Sequence, residues 1–131
     1  MEDQALQSAV IQIVADALDV KADEIGACSS LRDDLGAESI DFLDIQYRIE
    51  SAFRIEIPEG ELWQGAIDPA DQASIDAGVS RLRERLPGFN WSRLPARITR
   101  GDLPRLISIA TIVFYLQQRG VTAPGARGTS G

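Results

Sequence analysis

Histidine is absent from the 131 residues, and there is a single cysteine, Cys28. The first absence removes histidine-based general acid–base catalysis, the Ser-His-Asp and Cys-His nucleophile schemes and most zinc sites. The second excludes an intrachain disulfide and any cysteine-built zinc or iron–sulfur site. Long apolar runs are missing as well. The longest, residues 103–116, is broken by Pro104, Arg105, Ser108 and Thr111, and is shorter than the ~20 residues a bilayer-spanning helix needs. The N-terminus, Met1-Glu2-Asp3-Gln4, is acidic, where the first part of a secretory leader is basic. The expectation is a soluble, cytoplasmic protein without membrane insertion. What is present is ordinary for a globular domain, 44% hydrophobic and 25% charged residues, and the length suits one domain.

The net charge of −7 conceals a polarity along the chain. Residues 1–76 carry 18 acidic and 4 basic side chains, whereas residues 77–131 carry 2 acidic and 9 basic ones. The acidic half repels nucleic acid and attracts basic protein surfaces. In the basic half Arg81, Arg83, Arg85, Arg93, Arg97, Arg100 and Arg105 lie close together. They either fold back on the acidic half or stay solvated, or they form a patch for phosphate or RNA. No basic motif with interleaved stacking aromatics supports nucleic acid as a partner.

Hydrophobic periodicity predicts an all-α protein. Leu6, Val10, Ile13, Val14, Ala17 and Leu18 mark one face of a helix over residues 3–18. A polar connection over residues 19–30 follows, anchored by Val20 and Ile25, and then a turn at Gly36, where a positive φ costs glycine nothing. A second helix over residues 39–53 carries two apolar stripes. Phe42, Ile45, Ile49 and Phe53 should face the core, with Asp41 and Asp44 toward solvent. Ile40, Leu43 and Tyr47 form the other stripe, which needs a second surface to cover it. Asp68-Pro69 reads as the N-cap and first position of a further helix. That helix buries Ile75, Val79, Leu82 and Leu86 and stops at Pro87-Gly88. Phe89 and Trp91 sit in a loop, and Asp102-Leu103-Pro104 opens a short helix. Ser108 caps a last helix that reaches Gln118, buries Ile109, Ile112, Val113 and Leu116, and is stopped by Gly120. Residues 121–131 read as a disordered tail.

The segment with chemical content is Asp33-Asp34-Leu35-Gly36-Ala37-Glu38-Ser39-Ile40-Asp41-Phe42-Leu43-Asp44-Ile45. Taken alone, Ser39 is an ordinary helix cap, and with no histidine in the chain it has no base to make it a nucleophile. Cys28 has no basic neighbour to lower its pKa and reads as a packed or idle thiol. Two adjacent carboxylates, Asp33-Asp34, are a weak signal for a divalent ion, so no metal site is expected.

Asp34-Leu35-Gly36-Ala37-Glu38-Ser39-Ile40-Asp41 resembles the phosphopantetheine attachment motif of acyl carrier proteins, usually D-L-G-x-D-S-L-D. The likeness extends to Leu31 at the end of the first loop and to Ile45, Ile49 and Phe53 in the second helix. It also covers Phe53-Arg54-Ile55-Glu56-Ile57-Pro58, where the family has F-x-I-x-I-P. The stretch from Ser108 through Leu116 is similar to the start of the family's last helix. Glu38 and Ile40 keep the chemical type of the residues they replace. Phe114 takes the place of a usually polar residue, and Thr111 that of a common Asp. Residues 61–102 stand where a typical carrier has a short link with a small third helix.

The resemblance implies an acyl-carrier-like four-helix bundle over residues 1–120, with an inserted helical segment at about 61–102 between the second and last core helices. It implies that Ser39 carries 4'-phosphopantetheine donated from coenzyme A by a phosphopantetheinyl transferase with Mg²⁺. An acyl group would be held there as a thioester and presented to partners by a monomer that is no enzyme itself. Asp34, Glu38, Ile40, Asp41, Leu43, Asp44 and Tyr47 would meet acyl-transferring or condensing enzymes with basic docking patches, Asp33 and Glu50 extending the acidic surface. The pathway would be a dedicated lipid or lipopolysaccharide route. The alternatives are a carrier of an aminoacyl or polyketide unit, an unmodified carrier-like interaction module, and a binding protein using the basic residues 81–105. The insert is expected to be ordered and to lie near the second helix, where Leu62, Trp63, Phe89 or Trp91 could cover the second stripe.

Overall fold

Four of the helices grow from the patterns above. The computed structural model describes residues 2–58, 61–64 and 70–121. In chain order it contains α1 (Glu2–Leu18), α2 (Ser39–Phe53), α3 (Glu61–Gln64), α4 (Gln72–Arg85) and α5 (Ile109–Gln118). Short 3-10 turns lie at Ala22–Glu24, Trp91–Arg93 and Arg100–Leu106. Among the described residues the only β pairing is one antiparallel bridge between Ser30 and Ser108, so the class is all-α. The expected helix start at Asp68-Pro69, the Trp63 side chain and the tail beyond Val121 lie outside the described residues.

α1, α2 and α5 enclose the first of two apolar cores. Leu6, Val10 and Val14 of α1, Phe42, Ile45, Ile49 and Phe53 of α2, and Ile109, Ile112 and Leu116 of α5 are all buried in it. The stripe assigned to α2 is therefore the one that packs. On α1 the face is turned slightly: Ala15 is buried, while Ile13, Ala17 and Leu18 are only partly covered. Leu31, Ala37, Ile57 and Leu62 close the core from the loops and from α3. The Tyr115 hydroxyl donates to Glu61 of α3.

The second core belongs to the segment between α3 and α5. Ile75, Val79, Leu82, Leu86, Phe89, Leu94, Ile98 and Leu106 pack together, and Ala110 of α5 completes the cluster. Cys28, Trp91, Leu103 and Phe114 pack against it. α4 starts at Gln72, with the Asp71 side chain accepting from the Ser74 N–H at 2.8 Å. The Trp91 indole N–H donates to the Leu86 carbonyl at 2.9 Å.

α5 thus lies between two cores. This explains why its buried set extends to Ala110 beyond the expected stripe; Tyr115 is buried in the first core, and Thr111 as the partner of the Ser108 cap. It also explains Phe114, the apolar departure from the resembled pattern, which packs against the second core. A helix that is apolar on most of its circumference must be covered on most of it. The insert accordingly packs on α5 and on the first loop at Cys28, and of the two readings of the second stripe of α2, covered by the insert or open beside Ser39, the described residues match the open one. Leu62 is buried in the first core and Phe89 in the second. Ile40, Leu43 and Tyr47 remain 71%, 63% and 70% exposed.

Candidate functional site

The loop before α2 is built around Ser30, a fully buried polar residue. Its hydroxyl donates to the Arg105 carbonyl at 2.9 Å and accepts from the Asp33 N–H at 3.1 Å. The Leu31 N–H donates to the Ile107 carbonyl at 2.9 Å, and the Ala110 N–H to the Ala27 carbonyl at 2.9 Å. The first loop is thereby stitched to the entry of α5. Ser108 caps that helix: its N–H donates to Thr111 Oγ1 at 2.8 Å, and its hydroxyl accepts from the Thr111 N–H.

From Ser30 the chain turns through Asp34 and Leu35, whose N–H groups both donate to the Ser30 carbonyl. It then reverses at Gly36, with φ of +73° and no atom near where a Cβ would stand. The Ala37 N–H donates back to the Leu31 carbonyl at 2.8 Å. This places Glu38 as the N-cap of α2 and Ser39 as its first residue. Asp41 closes the helix entry by accepting from the Glu38 N–H at 2.8 Å. Ser39 is therefore not the cap. Its side chain is exposed, and its hydroxyl has no hydrogen-bond partner among the described residues. A primary hydroxyl is thus presented to solvent at the positive end of a 15-residue helix, whose first N–H groups favour an anion.

The carboxylates assigned to one acidic surface fall into two groups. Glu38 is exposed, and Asp41 and Asp44 are half-buried on α2. Asp44 pairs with Arg48 one turn on, at 3.1 Å. Glu50 accepts the Ile57 N–H at 2.8 Å and so fixes the chain leaving α2. Asp33 and Asp34 are paired with the insert. Arg93 grips Asp34 with both terminal nitrogens, at 2.7 and 3.2 Å. Arg105 Nε reaches both oxygens of Asp33, at 3.3 and 3.1 Å. Arg105 also donates to the Arg93 carbonyl at 3.2 Å, which joins the two pairs. The Ser30 N–H gives Asp34 Oδ2 a further bond at 2.7 Å. The Arg93 hydrogen bond, supported by that of Ser30, holds the Asp34 carboxyl below its ordinary pKa against a smaller opposing effect of burial.

Of the basic residues, then, Arg93 and Arg105 fold back on the loop before α2, while Arg97 pairs with Asp76 and Arg119 with Glu61. Charge opposition in the sequence pointed to such docking but not to which acids would be met. Among the described residues no group of three His, Cys, Asp or Glu side chains could hold a metal ion. No helix among them is long and apolar enough to cross a membrane.

The family model described as "Phosphopantetheine attachment site" matches residues 8–73, a span that contains Ser39. Two relatives named "Acyl carrier protein", from two strains of Borreliella burgdorferi, are each 39% identical over 61 residues. The match covers 47% of this chain and 76% of each relative. No solved structure matches the chain.

Proposed function

This chain belongs to the acyl carrier protein family, whose cofactor is covalently attached phosphopantetheine, and we propose that Ser39 is the residue that carries it. The observation that supports this reading is the exposed hydroxyl of Ser39 in the first turn of α2, with no hydrogen bond from the described residues to compete for it. The chain fits the group. Gly36 and the Asp41 bond to the Glu38 N–H hold the hydroxyl outside the fold, and the positive end of the α2 dipole would favour a phosphate attached there. When bound, 4'-phosphopantetheine supplies a terminal thiol that holds an acyl group as a thioester. The protein's own part is to position that arm and to be recognised, with no chemical step of its own.

Residues 1–120 act in this reading as one carrier domain, with the insert serving recognition. Ile40, Leu43 and Tyr47 give partners an apolar patch beside Ser39. Glu38, Asp41 and Asp44 give the same face its negative charge, which steers basic partners more than it adds affinity. The partners are a phosphopantetheinyl transferase and the acyl-transferring or condensing enzymes of a dedicated lipid or lipopolysaccharide pathway. The enlarged α5 face and the second core support a dedicated rather than a general carrier.

Incubation with coenzyme A, Mg²⁺ and a broad-specificity transferase tests the attachment. The intact mass of the wild type should rise by one phosphopantetheine, and Ser39→Ala should gain none. Equal loading of Ser39→Ala would move the site elsewhere.

A further inference from the structure

The two arginine bridges have a consequence for recognition that rests on the carrier reading above. Asp33 and Asp34 lie in the loop that leads into Ser39, and both are held by arginines 59 and 72 residues further along the chain. The Asp34 pair is bidentate and the Asp33 side chain is only 18% exposed. A basic surface approaching α2 meets these carboxylates already neutralised. An ion pair carries no net charge, so it attracts an approaching cation far less than a free carboxylate does. Among the described residues Glu38 and Asp41 have no arginine partner, and Asp44 is paired only with Arg48 of its own helix, an exposed one-turn pair that a partner's cation can displace. We propose that Arg93 and Arg105 are specificity-determining residues: they act as an internal stand-in for a partner's basic patch, withdraw Asp33 and Asp34 from recognition, and narrow the readable surface to Glu38, Asp41, Asp44 and the stripe of Ile40, Leu43 and Tyr47.

The partner this surface fits has a correspondingly small basic patch next to an apolar hollow. An enzyme that relies on a broad basic patch is discriminated against, because its outer cations find no free carboxylate while still losing solvent. The device is electrostatic, so it must depend on ionic strength, and the gain from freeing the carboxylates must vanish when they are removed together with their arginines.

A charge cycle tests it. The variants are Arg93→Gln/Arg105→Gln, Asp33→Asn/Asp34→Asn and all four substitutions together. Each is loaded by a broad-specificity transferase at low and high salt, with kcat and KM read separately. Uncovering the pair should raise kcat/KM about three- to tenfold at low salt, mainly through KM, and less than twofold at high salt. Asp33→Asn/Asp34→Asn in the otherwise wild-type chain leaves Arg93 and Arg105 uncompensated beside the same face and should lower kcat/KM at low salt, with less than twofold effect at high salt. The fourfold variant should lose the gain. The single variants Arg93→Gln and Arg105→Gln, each keeping one bridge and so guarding the fold of the insert, should show part of it.

A second readout does not depend on loading. Hexalysine titrated into the labelled protein should shift the amide resonances of residues 38–44 in the wild type. In Arg93→Gln/Arg105→Gln the shifts should extend to residues 33 and 34. Unchanged loading together with unchanged peptide shifts would overturn the proposal, as would a gain that survives in the fourfold variant. Failure of every form to load, with the peptide shifts as expected, would instead count against Ser39 as the attachment site.

Discussion

Leu82→Ala separates the two cores. Leu82 is buried against Ile75, Val79, Leu86 and their neighbours in the insert, and no residue of the first core belongs to that cluster. The substitution deletes three side-chain carbons, a transfer loss of about 2.4 kcal/mol at ~0.8 kcal/mol per buried methylene. The unrelaxed cavity raises the expected cost to about 3–5 kcal/mol. A unit of roughly 40 residues has little stability of its own, and this one rests on a single 14-residue helix and short turns. The loss should exceed that margin and unfold the insert locally, since cooperative units open separately when few contacts join them. α1, α2 and the inner face of α5 keep their own buried residues. Amide exchange read by mass spectrometry checks this. Protection over residues 72–85 should fall close to that of an unfolded chain, the whole of the unit's own margin being lost. Protection over residues 42–53 should stay within about tenfold of wild type. Ile49→Ala, equally buried but in the first core, should instead lower protection in α2. Parallel loss in α2 and α4 on Leu82→Ala would show the two cores to be one cooperative unit. Unchanged protection in α4 would refute the burial argument itself.

Gly36→Ala should destabilise by about 1 kcal/mol, because a left-handed residue with a Cβ costs ~1–2 kcal/mol and the stiffer unfolded chain offsets part of it. No atom lies where that Cβ would stand, so a loss above roughly 3 kcal/mol in urea denaturation would contradict a pure backbone origin. The lowered pKa of Asp34 has a definite sign. Its pairing contributes stability above the unfolded carboxylate value of ~3.9 and loses it as pH falls further through the folded value. The contribution is at most ~1 kcal/mol for so exposed a pair. Thermal melting of wild type and Asp34→Asn between pH 7 and pH 2 should converge below about pH 4. A constant difference across that range would mean that the Arg93 bridge contributes nothing.

Local pattern determined a large part of this protein. The 3–4 spacing of Phe42, Ile45, Ile49 and Phe53 placed α2 and its buried face, because helix geometry alone brings those residues to one side. Gly36 marked the reversal and Ser108 the entry of α5, because a positive φ and an unsatisfied helix N-terminus each demand particular residue types. The motif through Ser39 identified the family. Periodicity says which side chains share a face, but not which other face will meet it. Placing the insert on α5 rather than on α2 was decided in three dimensions, where Ala110 and Phe114 offered a second apolar side. Phe114, a large apolar residue where a polar one is usual, was the one trace of this in the chain. The helix start at Asp71 was settled by the Ser74 N–H that its side chain accepts. The pairing of Asp33 with Arg105 and Asp34 with Arg93 joins residues 72 and 59 positions apart. Opposite charge made some such pairing favourable, but only the packing of two apolar cores on either side of α5 brought these four side chains to within hydrogen-bonding distance.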